Sequence, residues 1–124
     1  MKELIALARE RPGKLDFGSG STGSTGHLAG EMFKMMTGTF MVHIPYKGSA
    51  PALADMMAGR VHLMFDNLAS ALPSIKSEKV RALATTTKAR SSFLPELPTL
   101  DEAGLKGFDM TTWWGVSVAA RTPP

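Results

Sequence analysis

The sequence predicts an α/β domain whose largely parallel sheet is flanked by helices. Three observations support this expectation. Short segments with the two-residue period of strands alternate along the chain with segments of helical period. Turns rich in small residues stand where each strand should pass into the next helix. The chain has 124 residues, 44% hydrophobic and 20% charged, enough for one domain with its own core.

Leu4, Ile5, Leu7 and Ala8 form an apolar stripe at helical spacing, and Arg11-Pro12-Gly13 ends that helix. Leu15-Asp16-Phe17 reads as a short strand entering a Gly/Ser/Thr loop from Gly18 to Gly26. A second helix carries Leu28, Met32, Phe33 and Met36 on one face and stops at Thr37-Gly38. Met41 to Pro45 reads as a strand and Tyr46-Lys47-Gly48 as a turn. Ser49 should cap a third helix that runs through Leu53, Met56 and Met57 to Gly59.

Val61, Leu63 and Phe65 alternate with His62, Met64 and Asp66, so a third strand should deliver Asp66 at its carboxyl end. Asn67 to Lys76 reads as a helix despite Pro73, with Asp66-Asn67 as its cap. Val80 to Thr86 is expected as a strand, and 91–107 as loop with one short helix after Pro98. Phe108 to Ala119 is expected as a long strand. Its Trp113-Trp114 pair should send one ring to the core and the other towards a neighbour, and Arg121-Thr122-Pro123-Pro124 closes the chain.

In such sheets ligands sit beyond the carboxyl ends of the strands, near helix N-termini. Three loops should therefore crowd one edge: Gly18 to Gly26, Pro45 to Ser49, and Asp66-Asn67. Gly18-Ser19-Gly20-Ser21-Thr22-Gly23 fits the G-x-G-x-x-G of dinucleotide sites. That motif also wants an acid about 20 residues on, and none lies between Glu31 and Asp55. A phosphate-binding Walker loop fails because Ser24, not Lys, follows Gly23. No nucleophile elbow surrounds Ser19, Ser21 or Ser24. His27, His43 and His62 lack metal-ligand spacing, and the 14 Lys and Arg form no tract that would mark a nucleic-acid partner.

Anion binding survives these exclusions. Small residues let backbone N–H groups approach a carboxylate, and the helix N-terminus adds a favourable dipole. Ser19, Ser21, Thr22, Ser24 and Thr25 supply hydroxyls, and His27 stands in the first helical turn. The composition contains no Cys, which removes thiol chemistry and disulfides. No cofactor is implied. A nucleotide- or phosphate-handling enzyme using the Gly18 to Gly26 loop is the alternative, and a ligand-free assembly module is a third reading.

Several motifs together resemble the solute receptors of tripartite tricarboxylate transporters, the Bug family. They are Leu15-Asp16-Phe17-Gly18-Ser19 through Gly26-His27-Leu28-Ala29-Gly30-Glu31, and His43-Ile44-Pro45-Tyr46-Lys47-Gly48 with Ala50-Pro51-Ala52-Leu53. Met64-Phe65-Asp66-Asn67, Leu72-Pro73, Val80-Arg81-Ala82-Leu83-Ala84, Leu97-Pro98-Thr99, Glu102-Ala103-Gly104 and Trp114-Gly115 follow in the same order.

The resemblance implies a fold of the type II periplasmic-binding-protein kind, with residues 1–124 as the second of two domains and the first domain absent. It implies a periplasmic parent that clamps a small-molecule carboxylate, of dicarboxylate or tricarboxylate type, without catalysis. The parent would hand that ligand to integral membrane transporter subunits. The implied ligand contacts are Ser19, Ser21, Thr22, Gly23, Ser24, Thr25 and His27, with Asp66 as a lateral contact and Tyr46 and Lys47 beside them. Half a clamp is expected to bind weakly. The apolar strand around Trp113 to Ala119, left without its neighbour, is expected to promote self-association.

Overall fold

A computed structural model describes residues 1–123, so Pro124 lies outside the described residues. Helix α1 spans Lys2–Glu10, and its apolar stripe buries Ala8 while Leu4 and Ile5 pack against the core. Strand β1 (Asp16–Ser19) follows, then α2 (Thr25–Thr37), β2 (Val42–Pro45), α3 (Ser49–Met57), β3 (Leu63–Met64) and α4 (Leu68–Lys76). The order of the three-stranded sheet is β2-β1-β3, and both pairings are parallel. The expected α/β architecture is present.

β1 is central because its side chains suit a strand covered on both faces. Phe17 and Ser19 are fully buried. Gly30 of α2 lies so close over the Phe17 ring that a Cβ there would collide with it. Gly18 leaves room for Val61 and for Ala52 of α3. The main core gathers Ala8, Leu15, Phe17, Ala29, Phe33 and Met41 from the first half of the chain, with Leu100, Leu105 and Phe108 from the second. Gly38, in the left-handed region at φ 63°, ends α2, and the guanidinium of Arg9 donates to the Thr37 carbonyl at 2.9 and 3.2 Å. A cation thus sits at the negative end of α2 and ties it to α1.

Several local expectations are corrected. Val80 to Thr86 forms no strand; its sole ladder contact is a parallel bridge between Thr85 and Thr99. Phe108 to Ala119 forms no strand either. Phe108 is buried and the Met110 N–H donates to Thr86, but beyond them Trp113 and Trp114 are both exposed. A strand needs a partner for its backbone as well as β-forming side chains, and among the described residues neither segment has one along its length.

The short helix after Pro98 is a single turn, in which Thr99 Oγ1 accepts from Glu102 N–H and Glu102 Oε2 accepts from Thr99 N–H. The two expected side-chain caps are also absent. Gly48 occupies the N-cap position of α3, and Asn67 occupies that of α4 without a side-chain cap bond.

Candidate functional site

The three loops do meet at the carboxyl edge of the sheet. Tyr46 N–H donates to Ser19 O at 2.9 Å, and Gly48 N–H donates to Gly20 O at 2.7 Å. A Cβ on Gly20 would press on the Ser49 nitrogen, and one on Gly26 would strike the Phe65 carbonyl oxygen. Backbones therefore touch at both crossings, which explains glycine at these two positions.

Within the Gly18 to Gly26 loop, the carbonyl of Ser21 is a hub. It accepts from Ser19 Oγ at 2.9 Å, Ser24 Oγ at 2.7 Å and Ser24 N–H at 3.2 Å. Ser24 is the N-cap of α2, and its Oγ accepts from His27 N–H at 3.4 Å. His27 Nδ1 accepts from Gly23 N–H at 2.9 Å, and Gly23 bends the loop at φ 80°. The loop is thus held from both sides by its own side chains.

Beneath it lies an aromatic stack. The His27 ring covers the His43 ring at 3.9 Å between centroids, and His43 covers Phe17 at 4.9 Å. His43 Nε2 is 2.7 Å from Ser19 Oγ. Because the Ser19 proton is committed to Ser21 O, His43 must donate from Nε2. Burial, and then the neighbouring His27, push the His43 pKa down. His27 Nε2 lies 3.8 Å from Glu31, which pairs with Lys34 at 2.9 Å.

The predicted site residues divide into three groups. Ser21, Thr22 and Gly23 are exposed at the loop's crest, while Ser24, Thr25 and His27 are half-buried where α2 begins. Thr25 and Gly26, the first two residues of α2, have backbone N–H groups with no acceptor among the described residues. Ser19 is fully buried and supports the loop from below.

Tyr46 and Lys47 belong to the second loop. The Tyr46 hydroxyl donates to Asp55 Oδ2 at 2.9 Å, anchoring the turn to α3. Burial, then Asp55, raise the Tyr46 pKa, whereas the Tyr46 bond and then Arg60 lower that of Asp55. Lys47 is exposed.

Asp66 already holds two partners. Ser49 Oγ donates to Oδ1 at 2.6 Å and Ser70 Oγ to Oδ2 at 2.7 Å. Its carboxylate therefore bridges the first turns of α3 and α4, supplying negative charge to two positive helix ends. The first turn of α2 contains no acid. The first turns of α3 and α4 contain no acid either, but Asp66 is hydrogen-bonded to both, and among the described residues no carboxylate is hydrogen-bonded to that of α2.

Sequence reasoning missed His43 and Ser49 as parts of this site. The strand register pairs Phe17 with His43, so aligning the two strands ahead of their loops would have found the stack. The Ser49–Asp66 contact joins residues 17 apart, and no local pattern signals it.

The full length of the chain, residues 1–124, matches the family described as Tripartite tricarboxylate transporter family receptor. Protein BugT of Bordetella pertussis is 38% identical over 121 residues, which is 98% of this chain and 37% of the relative. Among solved structures, Rpa4515 of R. palustris with adipate superposes with a TM-score of 0.87 at 47% identity, over 89% of this chain and 37% of that one. MatC of Rhodopseudomonas palustris with bound malate superposes at 0.84 and 25% identity with the same coverage. The chain spans little more than a third of the length of these relatives. The matching motifs, the parallel sheet and the shared backbone agree, and the chain belongs to the tripartite tricarboxylate transporter receptor family.

Proposed function

We propose that this chain is the second domain of a periplasmic solute receptor and contributes half of a carboxylate site. One carboxylate of a dicarboxylate or tricarboxylate ligand docks at the N-terminus of α2. The observation carrying this reading is the first turn of α2, with two backbone N–H groups free and no carboxylate hydrogen-bonded to it, whereas Asp66 is bonded to the first turns of α3 and α4. The relatives solved with adipate and malate support the ligand class.

Thr25 and Gly26 N–H donate to the carboxylate, with the Thr22 and Thr25 hydroxyls beside them. Ser21, Gly23, Ser24 and His27 hold the loop in place, and Ser19 acts from beneath through the Ser21 carbonyl. Asp66 orders the rim and repels a carboxylate from α3 and α4. Lys47 adds an exposed positive charge, and Tyr46 fixes the turn that carries it. The first domain supplies the opposing half of the clamp, and the loaded receptor delivers its ligand to integral membrane subunits. The role is binding, without catalysis.

Magnitudes set what this chain binds alone. Micromolar affinity corresponds to about 8 kcal/mol. A carboxylate at one helix N-terminus gains roughly 0.3–2 kcal/mol. Each added hydrogen bond contributes about 1 kcal/mol net. Half a clamp therefore binds in the millimolar range.

Titrating the chain with adipate while recording amide NMR spectra tests this reading. The Thr25 and Gly26 signals should move and saturate at millimolar concentration, and neutral adipamide should leave them still. Equal shifts with both compounds, or shifts confined to other loops, would refute it.

A further inference from the structure

We propose that the groove beside β3 is a strand-accepting slot that, in this chain, receives residues Thr111–Val118 of a second copy. The inference goes beyond the carboxylate site and rests on different residues.

The groove encloses about 590 Å³. Leu63, Met64 and Phe65 line it, as do Arg81, Ala82 and Leu83. None of the loop residues from Gly18 to Gly26 line it. β3 pairs with β1 through Phe17–Leu63 and Gly18–Met64, and its other edge faces the groove without a strand partner. The backbone of residues 81–84 is equally open. Val80 N–H donates to Ser74 and Thr85 N–H to Pro98, but the N–H groups of residues 81–84 have no acceptor among the described residues. Two unpaired backbone stretches along one apolar groove suit an extended occupant that can bond to them.

The same chain carries a segment of that chemistry. Thr111-Thr112-Trp113-Trp114-Gly115-Val116-Ser117-Val118 is rich in aromatic and β-branched residues and forms no ladder. Trp113 is 85% exposed, Trp114 83% and Val116 99%. Each copy therefore offers one slot and one strand, and two copies satisfy both reciprocally about a twofold axis. A buried aromatic contributes about 150–250 Å². Four tryptophans with the flanking valines and the slot walls thus approach the roughly 1,200–2,000 Å² of a stable interface.

Light scattering on the intact chain, with tryptophan emission read in parallel, tests the proposal. The chain should show twice its 13.3 kDa mass, with blue-shifted emission that reddens on dilution. Val116→Pro alters a residue that packs on nothing, so far-UV circular dichroism should hold. It removes a strand N–H, and the dimer dissociation constant should rise about tenfold or more. Three results would overturn the proposal: a monomer at every concentration, a dimer that Val116→Pro leaves intact, or blue-shifted emission in a monomer, which would place each strand in its own slot.

Discussion

His27 and His43 stack with ring centroids 3.9 Å apart and planes 14° from parallel. One imidazole comes from the first turn of α2, the other from β2. His43 reaches down to Ser19, and His27 reaches up to Gly23. The pair therefore connects the sheet to the loop that begins α2.

Acid should weaken the fold through His43. Burial and the adjacent His27 lower its pKa from the ordinary 6.5, so the unfolded chain binds the proton more readily. The resulting stability is fully present above pH 6.5 and is lost as pH falls through that value towards the folded pKa. Urea denaturation at a series of pH values checks this. His43→Phe should flatten the profile in that window, since the ring remains and the titration is gone.

Gly30→Ala should destabilise through the core. The new methyl meets the fully buried Phe17 ring, which has no space to yield. Overpacking of this kind costs about 1–3 kcal/mol. Thermal unfolding should show a midpoint lowered by roughly 3–5 °C for each kcal/mol lost.

Ser24 offers two substitutions with opposite consequences. Ser24→Ala removes the cap of α2 and should cost about 1 kcal/mol. Ser24→Asp keeps a capping acceptor and places a negative charge at the end of α2. The second variant keeps the cap but loses the donation to the Ser21 carbonyl, so it should be no less stable than Ser24→Ala and should lose the adipate response of the Thr25 and Gly26 amides. Chemical denaturation and NMR titration of both variants separate folding from binding.

The first 77 residues were the most legible in sequence. Leu4, Ile5 and Ala8 announce α1 by spacing, Thr37-Gly38 ends α2, and three strand ends bring the Gly18, Pro45 and Asp66 loops to one edge. These signals are local, so periodicity and turn chemistry reveal them. Val80 to Thr86 and Phe108 to Ala119 misled because strand-forming residues say nothing about whether a partner strand is present. The role of Asp66 was half legible. Its place at the end of β3 follows from alternation, whereas its bonds to Ser49 and Ser70 are tertiary.

We propose that α2, the one of the three converging helices with no carboxylate hydrogen-bonded to its first turn, takes the ligand carboxylate at its N-terminus. Crystals of the chain grown with saturating adipate test it directly. A carboxylate oxygen should lie about 2.7–3.2 Å from the Thr25 and Gly26 nitrogens. Adipate bound elsewhere, with those two nitrogens left without a ligand oxygen, would contradict it.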